Sequence, residues 1–222
     1  MGKVLAIAAV VSYLLGSIPF GYILVRVFRG EDVRSTGSGN IGATNVARTG
    51  SKGLAIATLA LDALKGYAAV RFSIWLAGRY PLQTSAAGTI YDQTEHGISA
   101  NGILLVAAVA AFCAVLGHVF TIWLHFKGGK GVATAVGAFG ALAPLATVLV
   151  LGVFAVLVAL TRHVSLGSIA GAAAFPFFVW WLYPAARSNG PILLLICMAS
   201  LLIIIRHRDN IRRLLAGTEN RF

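Results

Sequence analysis

Six apolar runs follow one another along this chain: Val4–Val25, Gly53–Ala77, Gly102–Leu124, Leu145–Leu160, Leu166–Tyr183 and Pro191–Ile205. A helix that crosses a bilayer needs about 20 predominantly apolar residues. Repetition of such runs constrains the fold more than any other feature of the sequence. The 222 residues are 58% hydrophobic and 11% charged, with a mean hydropathy of +0.84. A soluble domain carries about 25% charged residues. The expected class is therefore an all-α integral membrane protein, and the length leaves room for one membrane-embedded unit, residues 1–222. The first run extends past the length of a signal-peptide core, so it reads as an uncleaved span. Cys113 and Cys197 lie inside apolar runs and read as small hydrophobes, not as a disulfide framework.

A seventh segment, Val132–Leu142, is too short to cross alone and is cut off from the next run by Ala143 and Pro144. It reads as a short or tilted span, or as a re-entrant half-helix. Charge separates the two. With seven crossings and the N-terminus outside, the inner segments hold Arg26, Arg29, Arg34, Arg48, Lys52, Lys127, Lys130, Arg162, Arg206, Arg208, Arg212, Arg213 and Arg221. The outer segments hold only Lys3, Arg79 and Arg187. Basic residues collect on the cytoplasmic side. The expectation is about seven transmembrane helices, N-terminus outside and C-terminus cytoplasmic, with one short helix after a glycine-lysine loop. The net charge of +11 then belongs to that rule and to anionic lipid head groups, not to nucleic acid. The polar stretch Tyr80–Asn101 falls outside and reads as a linker.

The inner loops carry the chemistry. The first reads Thr36-Gly-Ser-Gly-Asn-Ile-Gly-Ala-Thr-Asn-Val-Ala-Arg48. Its glycines let the backbone approach a ligand, and successive N–H groups in such a loop can form an anion nest. Ser38, Asn40, Thr44 and Asn45 add neutral hydrogen bonds, and Arg48 adds a charged fork suited to phosphate. A flexible polar connection fits the same pattern. The second loop, Phe126-Lys-Gly-Gly-Lys-Gly-Val-Ala-Thr134, sets Lys127 and Lys130 around Gly128, Gly129 and Gly131 at a helix N-terminus. That end carries roughly half a positive charge and unpaired N–H groups. The spacing is not that of a nucleotide-binding P-loop.

His118 lies in an apolar span, where an ionisable group is a functional candidate. Asp62 and Lys65 share a helix face and read as a structural ion pair. Ser165, in the short segment Arg162–Ser168, can cap a helix or present a hydroxyl to an anion. His207 and Asn210 share a face of the basic tail. No H-x-x-x-x-D pair, G-x-S-x-G elbow or H-E-x-x-H zinc site is present, and inner carboxylates are few: Glu31, Asp32, Asp209 and Glu219. The sites suit phosphate, and from the residues alone an enzyme and a transporter or flippase for a phosphorylated solute or lipid stand level.

Taken in order, Gly37–Arg48, Gly117-His118, Phe126–Thr134, Arg162-x-x-Ser165-Leu and His207-x-x-Asn210-Ile-x-Arg-Leu resemble the bacterial acyl-phosphate:glycerol-3-phosphate acyltransferases over nearly the whole chain. The stretch Tyr80–Asn101 departs from the family in length. The resemblance implies a seven-helix fold in the bacterial inner membrane with its site at the cytoplasmic face. It implies transfer of a fatty acyl group from acyl phosphate to glycerol 3-phosphate, giving lysophosphatidic acid and phosphate, the first step of phospholipid synthesis. No metal, nucleotide or other cofactor is implied, and no nucleic acid. Carried onto matching positions, it implies catalytic roles for Ser38, Asn45, Arg48, His118 and Lys127. It implies substrate-binding roles for Gly39, Asn40, Gly128, Gly129, Lys130, Gly131, Ser165, His207 and Asn210.

Overall fold

A computed structural model of the chain describes residues 1–79 and 99–221. Of the expected outer linker Tyr80–Asn101, positions 80–98 lie outside the described residues. Every regular element among the described residues is helical. In chain order the α-helices are α1 (Gly2–Ser17), α2 (Phe20–Arg29), α3 (Ala43–Arg48), α4 (Lys52–Arg79), α5 (Ala100–Val119), α6 (Val132–Leu142), α7 (Pro144–Thr161), α8 (Val164–Leu182), α9 (Pro184–Arg187), α10 (Gly190–Arg206) and α11 (Arg208–Leu215), with short 3-10 turns at Val33–Ser35 and Ile122–Leu124.

Five segments are long and apolar enough to cross a membrane: Gly2–Arg29, Lys52–Arg79, Ala100–Leu124, Pro144–Thr161 and Val164–Leu182. The pair α10–α11, bent by 56°, adds a sixth when counted as one span. Helix α6 has 11 residues, a rise of about 16 Å against a hydrocarbon core of about 30 Å.

The first apolar run is not one helix. Pro19 has no N–H to continue the ladder and biases Ile18 toward extended backbone, so α1 stops at Ser17 and α2 starts at Phe20. The carbonyls released at the break find donors elsewhere, on α4 and just past the end of α5. The hydroxyl of Thr121 donates to Ser17 O, and Lys65 Nζ donates to Ile18 O at 2.6 Å.

The inner shell is α1, α4, α5 and α6, packed backbone to backbone. A Cβ on Gly16 would overlap Ala114 O, one on Gly66 would overlap Thr134 O, and one on Gly137 would overlap Ala63 O. Small residues at such contacts let membrane helices approach closely, because lipid itself supplies no hydrophobic drive for association. Helix α5 is the centre of this shell, with Val106, Ala107, Ala110, Ala111, Ala114 and Val115 buried. Helix α7 sits outside it. Only Ala146 and Thr147 of α7 are buried, which leaves Leu145, Val148, Leu151, Val156 and Leu160 exposed as a lipid-facing surface. At the ends away from the glycine-rich loops, Arg79 stacks 4.9 Å from the Trp75 ring and Arg187 lies 5.7 Å from the Trp180 ring. Such pairs suit an interfacial belt.

Candidate active site at the loop end of the bundle

Three segments far apart in sequence meet at one end of the helices. The first is the loop that precedes α3. Asn45, 1% exposed, is its hub. Its Oδ1 accepts from Ser38 N at 2.8 Å and Ser38 Oγ at 3.2 Å. Its Nδ2 donates to Val33 O at 2.9 Å, Thr36 O at 3.1 Å and Asn40 O at 2.8 Å. Gly37 has φ +58°, and a Cβ there would overlap Asn45 Oδ1, so glycine is required. Asn40 turns its own Oδ1 onto Gly42 N at 2.9 Å. Gly39, φ +66°, is exposed. Asn45 and Asn40 therefore shape the loop, while Ser38 and Arg48 remain exposed. Those two, with Gly37, Arg213 and Asn220, line an open cavity of about 420 Å³.

The second segment is the glycine-lysine loop. After α5 the chain turns through left-handed conformations at His125 (φ 53°) and Phe126 (φ 61°), uncommon outside glycine. Gly128 N donates to Val119 O at 3.1 Å and Gly129 N to His118 O at 3.0 Å. Arg206 closes the other side, with Nη2 on Gly128 O and Nε on Gly129 O, each at 3.3 Å. The Gly128–Gly129 amides are thus engaged by protein. What the loop leaves for an anion is the N-terminal turn of α6 behind Gly131 (φ +85°), together with its two lysines. These point apart: Lys127 is exposed, and Lys130 turns inward to donate to Asn210 Oδ1 at 2.5 Å.

His118 is buried. Its Nδ1 lies 3.1 Å from Thr134 Oγ1 and 3.6 Å from Asp62 Oδ1. Its Nε2 faces Gly129 so closely that a Cβ on that glycine would overlap it. The imidazole supports the loop from beneath.

The third segment is the tail. Ser165 does not cap α8: His163 holds that position, and Ser165 Oγ instead donates to Glu219 Oε1 at 2.8 Å. The same Oε1 accepts from Asn210 Nδ2 at 2.6 Å, and Oε2 accepts from Arg213 Nε at 2.6 Å. Burial would raise the Glu219 carboxyl, but these three donors outweigh it and hold the group below the usual carboxylate range. His207, between α10 and α11, donates Nδ1–H to Ile203 O at 2.8 Å, which leaves Nε2 with its lone pair. Burial brings its pKa down to about 4, the nearby Lys130 charge adds to this, and the imidazole is neutral at pH 7. Burial likewise lowers Lys130 to about 8; Glu219 opposes this, and Arg213, Arg48 and Arg206 reinforce it.

Ser38, Arg48, Lys130, Ser165, His207 and Asn210 thus meet at one end of the bundle. Lys127 stands on the rim, and His118 lies beneath. Glu219 and Arg206 belong to the same assembly but escaped the motif analysis, and Arg213, quoted within the tail motif, was given no role there. The scarcity of inner carboxylates was the one signal that pointed to Glu219.

The chain matches the glycerol-3-phosphate acyltransferase family model over residues 6–217. It is 45% identical to the glycerol-3-phosphate acyltransferase of Geobacter sulfurreducens over 97% of this chain and 96% of the relative. To that of Rhodopseudomonas palustris it is 43% identical, over 96% and 94%. Two crystal structures of PlsY (YgiH), an integral membrane glycerol 3-phosphate acyltransferase, are similar throughout, at 32% identity and covering 98% of this chain and 95% of the other. The glycerol 3-phosphate form superposes with a TM-score of 0.80 and the lysophosphatidic acid form with 0.77.

Proposed function

The chain belongs to the glycerol-3-phosphate acyltransferase family, and from that premise we propose that it moves a fatty acyl group from acyl phosphate to glycerol 3-phosphate. The oxygen of a glycerol hydroxyl attacks the acyl carbonyl carbon. The carbon–oxygen bond to phosphate breaks, and the hydroxyl proton leaves with the phosphate. The products are lysophosphatidic acid and inorganic phosphate. Both substrates are anions and one has a lipid tail, so the site must hold two phosphates beside a membrane.

The observation that carries this reading is the meeting of Lys130 with Asn210 beside the cavity lined by Ser38, Arg48 and Arg213. It supports two separate cationic positions within one site. The α6 N-terminus, Lys127 and Lys130 hold the acyl phosphate and stabilise its departing phosphate. Arg48 and Arg213 take the phosphate of glycerol 3-phosphate, and Ser38 orients its glycerol. Ser165, His207 and Asn210 complete the wall of that site, aligned by Glu219. Gly39, Asn40 and Asn45 shape the first loop, and Gly128, Gly129 and Gly131 shape the second. Positioning two reactants can supply on the order of 7–11 kcal/mol of a barrier. Acyl phosphate is already an activated donor, so a phosphate oxygen suffices to take the proton. The buried, packed ring of His118 supports that route over a histidine base.

The charge bias and the belt of Trp75 and Trp180 support seven crossings with α6 as the short one, N-terminus outside, within one membrane-embedded unit. The site then faces the cytoplasm at the inner membrane.

The test is turnover by purified protein in detergent, supplied with palmitoyl phosphate and glycerol 3-phosphate. Lysophosphatidic acid and phosphate in equal amounts are expected. Folded protein that yields neither overturns the reading, since a carrier performs no chemistry without a sealed bilayer.

A further inference from the structure

The reaction above leaves one buried ionic cluster without a task. Asp62 and Lys65 lie one turn apart on α4, 2% and 5% exposed. Charged side chains within a membrane bundle are costly even when paired. An apolar pair would span the bilayer at lower cost, so these charges need another explanation.

Their contacts run in two directions. Lys65 Nζ sits 2.8 Å from Asp62 Oδ1 and donates to Ile18 O at 2.6 Å. That carbonyl belongs to the break in the first span, and the ring of Phe20, the first residue of α2, lies 5.7 Å from the ammonium. The lysine therefore fixes where α2 leaves α1. Helix α2 in turn supports the first loop: a Cβ on Gly21 would overlap the carbonyl oxygen of Ile41, the residue that directly follows the Gly37–Asn40 segment. In the other direction, Asp62 Oδ1 lies 3.6 Å from His118 Nδ1, which is 3.1 Å from Thr134 Oγ1 on α6. The far side of that ring abuts Gly129. One ion pair thus touches the supports of both loops that meet at the site.

We propose that Asp62 and Lys65 are positioning residues for acyl transfer, holding the loop that presents Ser38 and Arg48 in register with the Gly128–Lys130 turn. The proposal rests on the acyl-transfer reading of those loops. Neither residue touches substrate, and each acts through a neighbour's backbone or ring. Their loss moves the two phosphates relative to each other more than it weakens the hold on either.

Lys65→Met, Lys65→Arg and Asp62→Asn are purified in detergent. For each, kcat and the KM of both substrates are measured per folded molecule, beside the unsubstituted enzyme. Lys65→Met, which keeps most of the side chain's length and loses its charge, is expected to fold and to lose about 100-fold in kcat, the size of effect a displacement near 1 Å produces. Both KM values are expected to stay within about threefold, because each phosphate keeps its own donors. Lys65→Arg retains a donor for Ile18 O and recovers most of the rate. Folded Lys65→Met with unchanged kcat, or with the whole loss in KM, overturns the proposal. So does Lys65→Arg no faster than Lys65→Met. If Lys65→Met does not fold, the near-isosteric Asp62→Asn decides: about a tenfold fall in kcat at constant KM supports positioning, and an unchanged kcat refutes it. Absence of turnover in the unsubstituted enzyme instead removes the functional reading on which the proposal stands.

Discussion

Lys130 and Asn210 are 80 positions apart in sequence, yet Nζ of the lysine lies 2.5 Å from Oδ1 of the asparagine. This bond joins the glycine-lysine loop to the tail.

Because burial lowers Lys130 to about 8, its charge is lost within reach of working pH. Glycerol 3-phosphate and acyl phosphate are anions, so kcat/KM is expected to fall as pH rises through about 8. Lys130→Arg stays protonated and moves that limb to higher pH, at a reduced maximum. Linkage gives a second sign. A lysine lowered in the folded state carries its penalty in full below about 8 and loses it as pH rises toward its ordinary value of 10.5. Thermal stability of the empty enzyme is therefore expected to gain from this group over that window while activity declines. Rate and melting profiles between pH 6 and 10 check both.

Glu219, its side chain 4% exposed, is matched by Ser165, Asn210 and Arg213. Glu219→Gln presents an amide N–H to donors that need an acceptor. Hydrogen bonds to charged groups are worth about 1.5–3 kcal/mol, so a fall of roughly 10- to 100-fold in kcat/KM is expected. The lowered carboxyl contributes stability that is complete above the unfolded value near 4.5 and is lost as pH falls through the folded value. Substrate titration and acid melting of the variant against the parent provide the measurement; an unchanged kcat/KM refutes the alignment role.

Gly128 and Gly129 face different obstacles. A Cβ on Gly128 would overlap the backbone carbonyl of His118, whereas one on Gly129 would overlap its ring. Melting temperatures are therefore expected to show Gly129→Ala costing less in a His118→Ala background than alone. The cost of Gly128→Ala should be the same in both. Additive effects at Gly129 would mean the ring is not its neighbour in solution.

Ser38 and Asn45 are hydrogen-bonded to each other but differ in their consequences. Asn45→Ala removes bonds to five loop atoms at about 1 kcal/mol or less each, so a loss of about 3 kcal/mol in stability is expected. Ser38→Ala leaves the loop held by the backbone bond from Ser38 N, and is expected to keep its melting temperature and lose catalytic rate. Equal melting losses for the two variants would contradict this division.

The spans were legible because lipid imposes a simple rule on composition. Val132–Leu142 and its start after Gly131 are found where the sequence places them, and α4 extends the expected Gly53–Ala77 run only to Lys52 and Arg79. The break at Ile18–Pro19 was not read, because the apolar run continues through it and only the lysine on another helix shows how its carbonyl is satisfied. The glycine-rich loops declared themselves as motifs. Their internal division did not: nothing local in the sequence says that Asn45 is turned inward while Ser38 is exposed. Glu219 and Arg206 act across long sequence separations, and no spacing rule connects them to Ser165 or Gly128.

The glycine contacts at Gly16, Gly66 and Gly137 set α1 on α5 and α4 on α6, backbone to backbone, and the Ser12–Ser73 and His118–Thr134 contacts tie the two pairs together, so the four resist sliding past one another. Helix α7, bare on most of its surface, makes its close glycine contact with the outer helix α8 instead, where Gly167 faces Phe154. A cell that lengthens or shortens its lipid tails changes the thickness of its bilayer, and the embedded helices must tilt or stretch to match. Here the outer helix can absorb that mismatch while the inner four move as a block. An enzyme built this way keeps its reaction geometry constant across the very changes in membrane composition that its own product helps to bring about.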